Sequence, residues 1–287
     1  MPDTTGMQDL RAEDFESMVK GFALQEFKMK QVVMVESSNA WIETYYRETA
    51  TELTGGTGSA VRGIPRLANF PYGEVSWTKV QAYIEKYGME GVIAWEDAML
   101  DNISTVARTL LRIARAVAYA VDLQIYTVLE DAAGNSVAIT AGEEWDSATL
   151  ANRRPLKTLF SAKRELYTDN FDPDGKETFL ILSPTDYANI LSNEQVLTNP
   201  TFKAFDVVEN GRVAKLAGLT IIVFNGTTAD KALVCIGKEC GTWKSADGPQ
   251  AFTEPHKGIS YVIRSFEMGV CQATTPNAIV TITNTQA

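Results

Sequence analysis

Long apolar runs are missing from this chain. No stretch of its 287 residues approaches the ~18 consecutive apolar positions that cross a bilayer, so a membrane-spanning helix is excluded. The opening Met1-Pro-Asp-Thr-Thr-Gly6 has neither a basic segment nor an apolar core, and no signal peptide is visible. Histidine is nearly absent. His256 is the single one, so any Ser-His-Asp or Cys-His mechanism would have to use it. It lies in the turn-like stretch Glu254-Pro-His-Lys-Gly258, a setting that favours a solvated loop residue. Cysteine is scarce as well. Cys235, Cys240 and Cys271 are an odd number, and no further Cys or His stands at metal-ligand spacing. They suit reduced thiols in a cytosolic setting better than a disulfide framework. Excess positive charge is also lacking. Lys and Arg number 26 against 36 Asp and Glu, for a net charge of −10. That argues against a free nucleic-acid binder and leaves open a protein that meets nucleic acid on one face.

Catalytic signatures are missing in the same way. The glycine cluster from Gly55 to Gly63 is not followed by Gly-Lys-Ser/Thr, so it is no phosphate-binding loop. Asn170-Phe-Asp-Pro-Asp-Gly175 has the outline of a calcium loop. However, Asn170 and Ile181 occupy the positions that need Asp and a bidentate Glu. It is a polar turn. Paired carboxylates abound without any pair being singled out. No catalytic, cofactor-binding or metal-binding residue is assigned.

What is present is an ordinary soluble composition, 45% hydrophobic and 22% charged, with length for about two domains. One stretch dominates. Glu96 to Leu129 contains no Gly and no Pro. Its apolar residues recur at Met99, Ile103, Val106, Leu110, Ile113, Val117, Val121, Ile125 and Val128. Steps of three and four predict one amphipathic helix, roughly 50 Å long. Glu96, Asp97 and Asp101 sit in its first turns, where the helix dipole favours acids. Arg108, Arg112 and Arg115 fall at i, i+4 and i+7 on a different face. Two readings of that basic stripe stand: a solvated or ion-paired face, or a surface that meets phosphates non-specifically.

Around this helix the pattern predicts an α+β chain. Phe15, Met18, Phe22 and Phe27 permit a short helix within Ala12–Lys30. Val32–Val35 is a short strand. Residues 48–91 are rich in turn formers, and Glu74–Glu85 follows as a strand with imperfect alternation. This region has too few aliphatics for its own core. It fits a projecting hairpin that rests on something else, such as another subunit. Val137–Thr140 is a short strand. Ser147 is a candidate N-cap for a helix to about Tyr167. Thr178–Leu182, Ala217–Phe224 and Lys231–Ile236 are strands, and Pro184 opens a short helix. Gly258–Cys271 and Ala278–Thr283 are expected to close the fold as an antiparallel pair.

This order of elements resembles the major capsid proteins of tailed bacteriophages, the Hong Kong 97-type fold. The resemblance rests on Phe70-Pro-Tyr-Gly-Glu-Val-Ser-Trp-Thr-Lys-Val80, on Trp95-Glu-Asp-Ala-Met-Leu100 with the helix, and on Phe179–Pro184, Leu216–Val223 and Ala232–Ile236. It implies an N-terminal arm over 1–40, an extended β-hairpin loop over 41–91, and a peripheral domain over 92–145 with the long spine helix. An axial domain follows over 146–258, with closing peripheral strands over 259–287. It implies a structural, non-enzymatic shell subunit, assembled in the host cytoplasm into hexamers and pentamers of an icosahedral capsid around double-stranded DNA. Arg108, Arg112 and Arg115 would face the lumen and its DNA. Arg62, Phe70, Tyr72 and Trp77 on the extended loop would make intersubunit contacts. Portal, scaffolding or decoration proteins would be partners, with no cofactor and no membrane. An encapsulin-type compartment shell has the same fold and is the alternative. A cytosolic hydrolase or transferase is disfavoured by the single His and the missing nucleophile and metal motifs.

Overall fold

The computed structural model describes residues 18–19, 22, 27–47, 65–69, 77–99, 103–193 and 215–287, without the side chains of 98–99 and 103–107. Two helical pieces cover the dominant stretch. They are α1 (Trp95–Met99) and α2 (Ile103–Ala132). At 1.5 Å per residue, the 30 residues of α2 extend about 45 Å. Leu110, Ile113, Val117, Val121 and Ile125 are all buried, as the stripe predicts, and Val128 is partly buried. Met99, Ile103 and Val106 lie outside the described side chains.

Two sheets flank this helix, and a third, two-stranded one touches β11 through β3. The first runs β1 (Met34–Ser37), β10 (Thr242–His256), β11 (Ser260–Gln272), β4 (Glu85–Ala94). α2 packs across β4 and β11. The second runs β5 (Asn135–Ala138), β12 (Ile279–Thr283), β9 (Lys231–Ile236), β6 (Thr178–Leu182), β8 (Leu219–Val223), β7 (Lys215–Leu216). Every residue of β6 is buried, as a central strand covered on both faces requires. β2 (Ile42–Arg47) and β3 (Thr78–Tyr83) form a separate two-stranded ladder. Two further helices are α3 (Pro155–Thr168) and α4 (Pro184–Leu191). The α4 N-terminus is capped by Ser183, whose hydroxyl oxygen accepts from the Asp186 amide.

Several expectations are corrected. Gly258–Cys271 and Ala278–Thr283 are not partners. β11 pairs with β10 and β4, whereas β12 lies between β5 and β9 in the other sheet. β10 escapes the pattern because its register shifts twice, between Ser245 and Asp247 and again between Asp247 and Gln250. Ser147 caps no helix. It is buried and donates its hydroxyl to the Gly142 carbonyl, and α3 begins eight residues later at Pro155. The first strand is Met34–Ser37. Val32 and Val33 are instead buried beneath the preceding 3-10 turn, Met29–Gln31. The expected strand over Glu74–Glu85 resolves into β3 and β4, with 74–76 outside the described residues. β10 lies in the sheet of β4 and β11, and β12 in that of β6, β8 and β9.

Candidate assembly surfaces

On α2, the apolar stripe faces inward and the arginines face away. Arg108 and Arg112 are exposed. Arg115 continues the row and borders a cleft of about 170 Å³, shared with Lys28, Tyr119, Asp122 and Phe224. The helix thus brings the three expected cations onto one side. The last of them also meets the protein's own residues around Lys28. Tyr119 lies one turn further on, half-exposed, with its ring 5.6 Å from that of Phe224.

Residues 27–33 bind three parts of the fold together. Asp122 on α2 is buried, and its carboxylate accepts the backbone N–H groups of Lys28 at 2.8 Å and Met29 at 3.1 Å. Burial pushes its pKa up to about 6, against the pull of those two hydrogen bonds. The Lys30 ammonium pairs with Glu267 on β11, which is fully buried. The same Glu267 oxygen, Oε1, accepts Trp243 Nε1–H at 3.1 Å. Burial lowers the Lys30 pKa, and Glu267 opposes that shift. The Val32 carbonyl accepts the Lys238 amide at 2.7 Å, beside the end of β9. Nothing in the local composition announces this knot, because its members come from distant segments.

The β2–β3 ladder has one covered and one open face. Directly paired residues share a face. Tyr45 opposite Val80 and Glu43 opposite Ala82 lie on the covered side. Ile42 opposite Tyr83 and Tyr46 opposite Lys79 lie on the open side. Tyr83 is 62% exposed, Tyr46 57% and Ile42 49%. Trp77, singled out from the sequence, is exposed just before β3. Arg62, Phe70 and Tyr72 lie outside the described residues. Trp41, 74% exposed, was missed. An indole amid Ser37-Ser-Asn-Ala40 is a signal that could have found it, because nothing local can bury it.

The first sheet presents a mixed surface. Phe252 and Phe266 stack at 5.7 Å, and the Lys86 ammonium stands 4.1 Å from the Phe266 ring centroid. Arg264 bridges Glu90 at 2.7 Å and Glu254 at 2.9 Å. A cleft of about 340 Å³ opens between Lys86, Glu90 and Arg264. Among the described residues no group of His, Cys, Asp and Glu could hold a metal ion, and no helix is long and apolar enough to cross a membrane. His256 ends β10 in an exposed position opposite Ser260. The three thiols are free and buried.

The sequence pattern of the phage capsid protein family matches residues 77–282. The chain belongs to the phage capsid protein family. The match takes in β3, α2, the four-stranded sheet without β1, and nearly all of the six-stranded sheet. The capsid subunit finds no match among curated proteins. Solved structures share its fold. A virus-like particle protein from Pyrococcus furiosus is 13% identical, with a TM-score of 0.64 over 95% of this chain and 99% of the other. The capsid of cyanophage P-SCSP1u is 15% identical, with a TM-score of 0.64 over 90% and 88%. A phage-related protein from Bordetella bronchiseptica RB50 is 12% identical, with a TM-score of 0.64 over 94% and 97%. The phage major capsid fold expected from the order of elements is the fold found. This capsid subunit is a structural protein, a component of a virion shell.

Proposed function

We propose that the subunit self-assembles in the host cytoplasm into hexamers and pentamers of an icosahedral shell enclosing double-stranded DNA. The observation that carries this reading is the open face of the β2–β3 ladder. Ile42, Tyr46 and Tyr83 stand in solvent on a two-stranded unit that is marginal alone. Laying that face across a neighbouring subunit removes the aromatic surface from water and steadies the hairpin. Arg62, Phe70, Tyr72 and Trp77 join that contact. Arg108, Arg112 and Arg115 face the lumen and meet phosphates without sequence preference. Scaffolding, portal and decoration proteins are further partners.

The subunit divides into an arm over 1–40, an extended loop over 41–91, a peripheral domain built on α2 and the four-stranded sheet, and an axial domain built on the six-stranded sheet. Relative to the expected segments, this division moves β10 to the peripheral domain and β5 and β12 to the axial domain, and joins β1 of the arm and β4 of the loop to the peripheral sheet.

Light scattering and negative-stain microscopy of the purified protein test the proposal. Capsomers or closed particles are expected, and a monomer that persists at high concentration across salt and pH overturns it. The fold shared with the Pyrococcus furiosus particle supports a second reading, an encapsulin-type compartment. Particles that recruit a protein cargo and no DNA would favour it.

A further inference from the structure

We propose that α3 is a contact helix between copies of the subunit: the basic surface at its N-terminal end docks head to tail on the acidic surface at the C-terminal end of α3 in the next copy. The inference rests on the shell reading and names one contact through which copies meet. Helix α3 packs on β5 and β12 and buries Leu159, Ala162 and Leu166. Its other side is bare. Lys157, Phe160, Arg164 and Tyr167 fall at i, i+3, i+7 and i+10, one stripe of a 3.6-residue helix. All four are exposed, Phe160 by 57% and Tyr167 by 47%.

The charges run against the helix. Its N-terminus is the positive end of the helix dipole and its C-terminus the negative end, so acids belong first and cations last. α3 has no acid in its first turn and no base in its last. Its N-cap is Arg154 and its C-cap is Asp169. At the first end, Lys157 pairs with Glu143 at 3.1 Å, and the Arg153 guanidinium is held by the Ser147 and Asp146 carbonyls. Arg154 is exposed, and among the described residues no carboxylate meets it. At the other end stand Asp169, Asp172, Asp174 and Glu177. Lys163 is taken up by Asp174 and the Ala217 carbonyl, and Lys176 by Glu239. Asp172 and Glu177 are exposed, and among the described residues no cation meets them. Each end therefore carries the charge that the other lacks. Each also carries an exposed ring, Phe160 beside Lys157 and Tyr167 with its hydroxyl on Asp174. The 14 residues of α3 hold the two ends about 20 Å apart, so one subunit offers them as separate surfaces. A two-fold antiparallel pairing of α3 with itself would also match the ends. It would, however, set Arg164, mid-way between them, against its own copy. Head-to-tail contact avoids that clash and, repeated about an axis, closes into a ring.

Particle yield and the melting of unassembled subunits test the contact. Arg154→Glu with Lys157→Glu makes the first end acidic. Glu177→Lys with Asp172→Asn makes the second basic, while Asn keeps an oxygen for the Asp174 and Gly175 amides. Each variant alone sets like charges against each other, and its yield should fall about tenfold or more with melting nearly unchanged. All four changes in one chain restore opposite charges and should restore most of the yield. Wild-type yield in both variants overturns the contact and leaves the shell reading standing. A loss that the combined chain does not restore overturns it as well. Wild-type protein that forms no particles overturns the shell reading, and this contact with it. Arg154→Gln should raise the protein concentration needed for assembly by about twofold or more. An unchanged threshold there overturns the contact even where a multiply changed chain does not fold.

Discussion

A Cβ placed on Gly91 of β4 would stand 2.4 Å from Cδ1 of Ile113 on α2. The missing side chain is what lets the helix lie this close to the sheet. Gly91→Val should force Ile113 off its rotamer or push the helix away, at about 1–3 kcal/mol. Urea denaturation of unassembled subunits would read the loss. Combining it with Ile113→Ala should cost less than the sum of the two single changes, because the space is then shared. Strict additivity would show that the contact is not the cause.

Val117 lies mid-way along α2 with 1% of its surface exposed. Val117→Pro removes a backbone hydrogen bond and clashes with the preceding turn, at about 3 kcal/mol or more. Soluble subunit in the expression supernatant should largely vanish. A variant that folds and assembles as before would refute the continuity of the helix there.

The hairpin can be separated from the fold. Trp41 and Trp77 are exposed and take no part in the buried core. Changing both to Ser should leave circular dichroism and subunit melting nearly unchanged, while the yield of particles falls. The same outcome is expected for Phe70→Ser with Tyr72→Ser. A drop in melting temperature that matches the drop in yield would place these residues in the subunit's own core.

Changing Arg108, Arg112 and Arg115 to Gln should leave particle number intact and lower their DNA content. Each lost phosphate contact should flatten the salt dependence of DNA retention by about one unit of slope. Particle counts by microscopy and absorbance ratios give the two readouts. Loss of particles with no change in DNA per particle would assign the stripe to subunit contacts.

The residues that announce themselves in sequence are those whose partners are close by or whose pattern is periodic. Leu110, Ile113, Val117, Val121 and Ile125 repeat every three or four positions, so the helix and its buried face were legible. Thr178–Leu182 was legible because a strand covered on both faces is a continuous apolar run. β10 was not. Asp247, Gly248 and Pro249 interrupt it at its register shifts, and a strand with two irregularities has lost the period of two. Pairing was not legible either. Ile279–Thr283 declares itself a strand, but nothing in Ile-Val-Thr-Ile-Thr names β5 and β9 as its neighbours. Among the candidate surface residues, the exposure of the arginine row was legible from its i, i+4, i+7 spacing, and that of Trp77 from a segment with too few aliphatics to bury it. Asp122 was overlooked because its meaning depends on Lys28 and Met29, more than ninety positions earlier in the chain.

β12 is hydrogen-bonded on both sides, to β5 and to β9. During synthesis, Asn135–Ala138 and Lys231–Ile236 leave the ribosome well before Ile279–Thr283. Through that interval β5 lacks the partner it has here, and β9 lacks one of its two. Chains generally fold as units once those units are complete. A nascent chain therefore cannot finish this sheet until Ile279–Thr283 has been made. A chain cut short before Ile279 is expected to leave β5 unpaired and β9 paired on one side only.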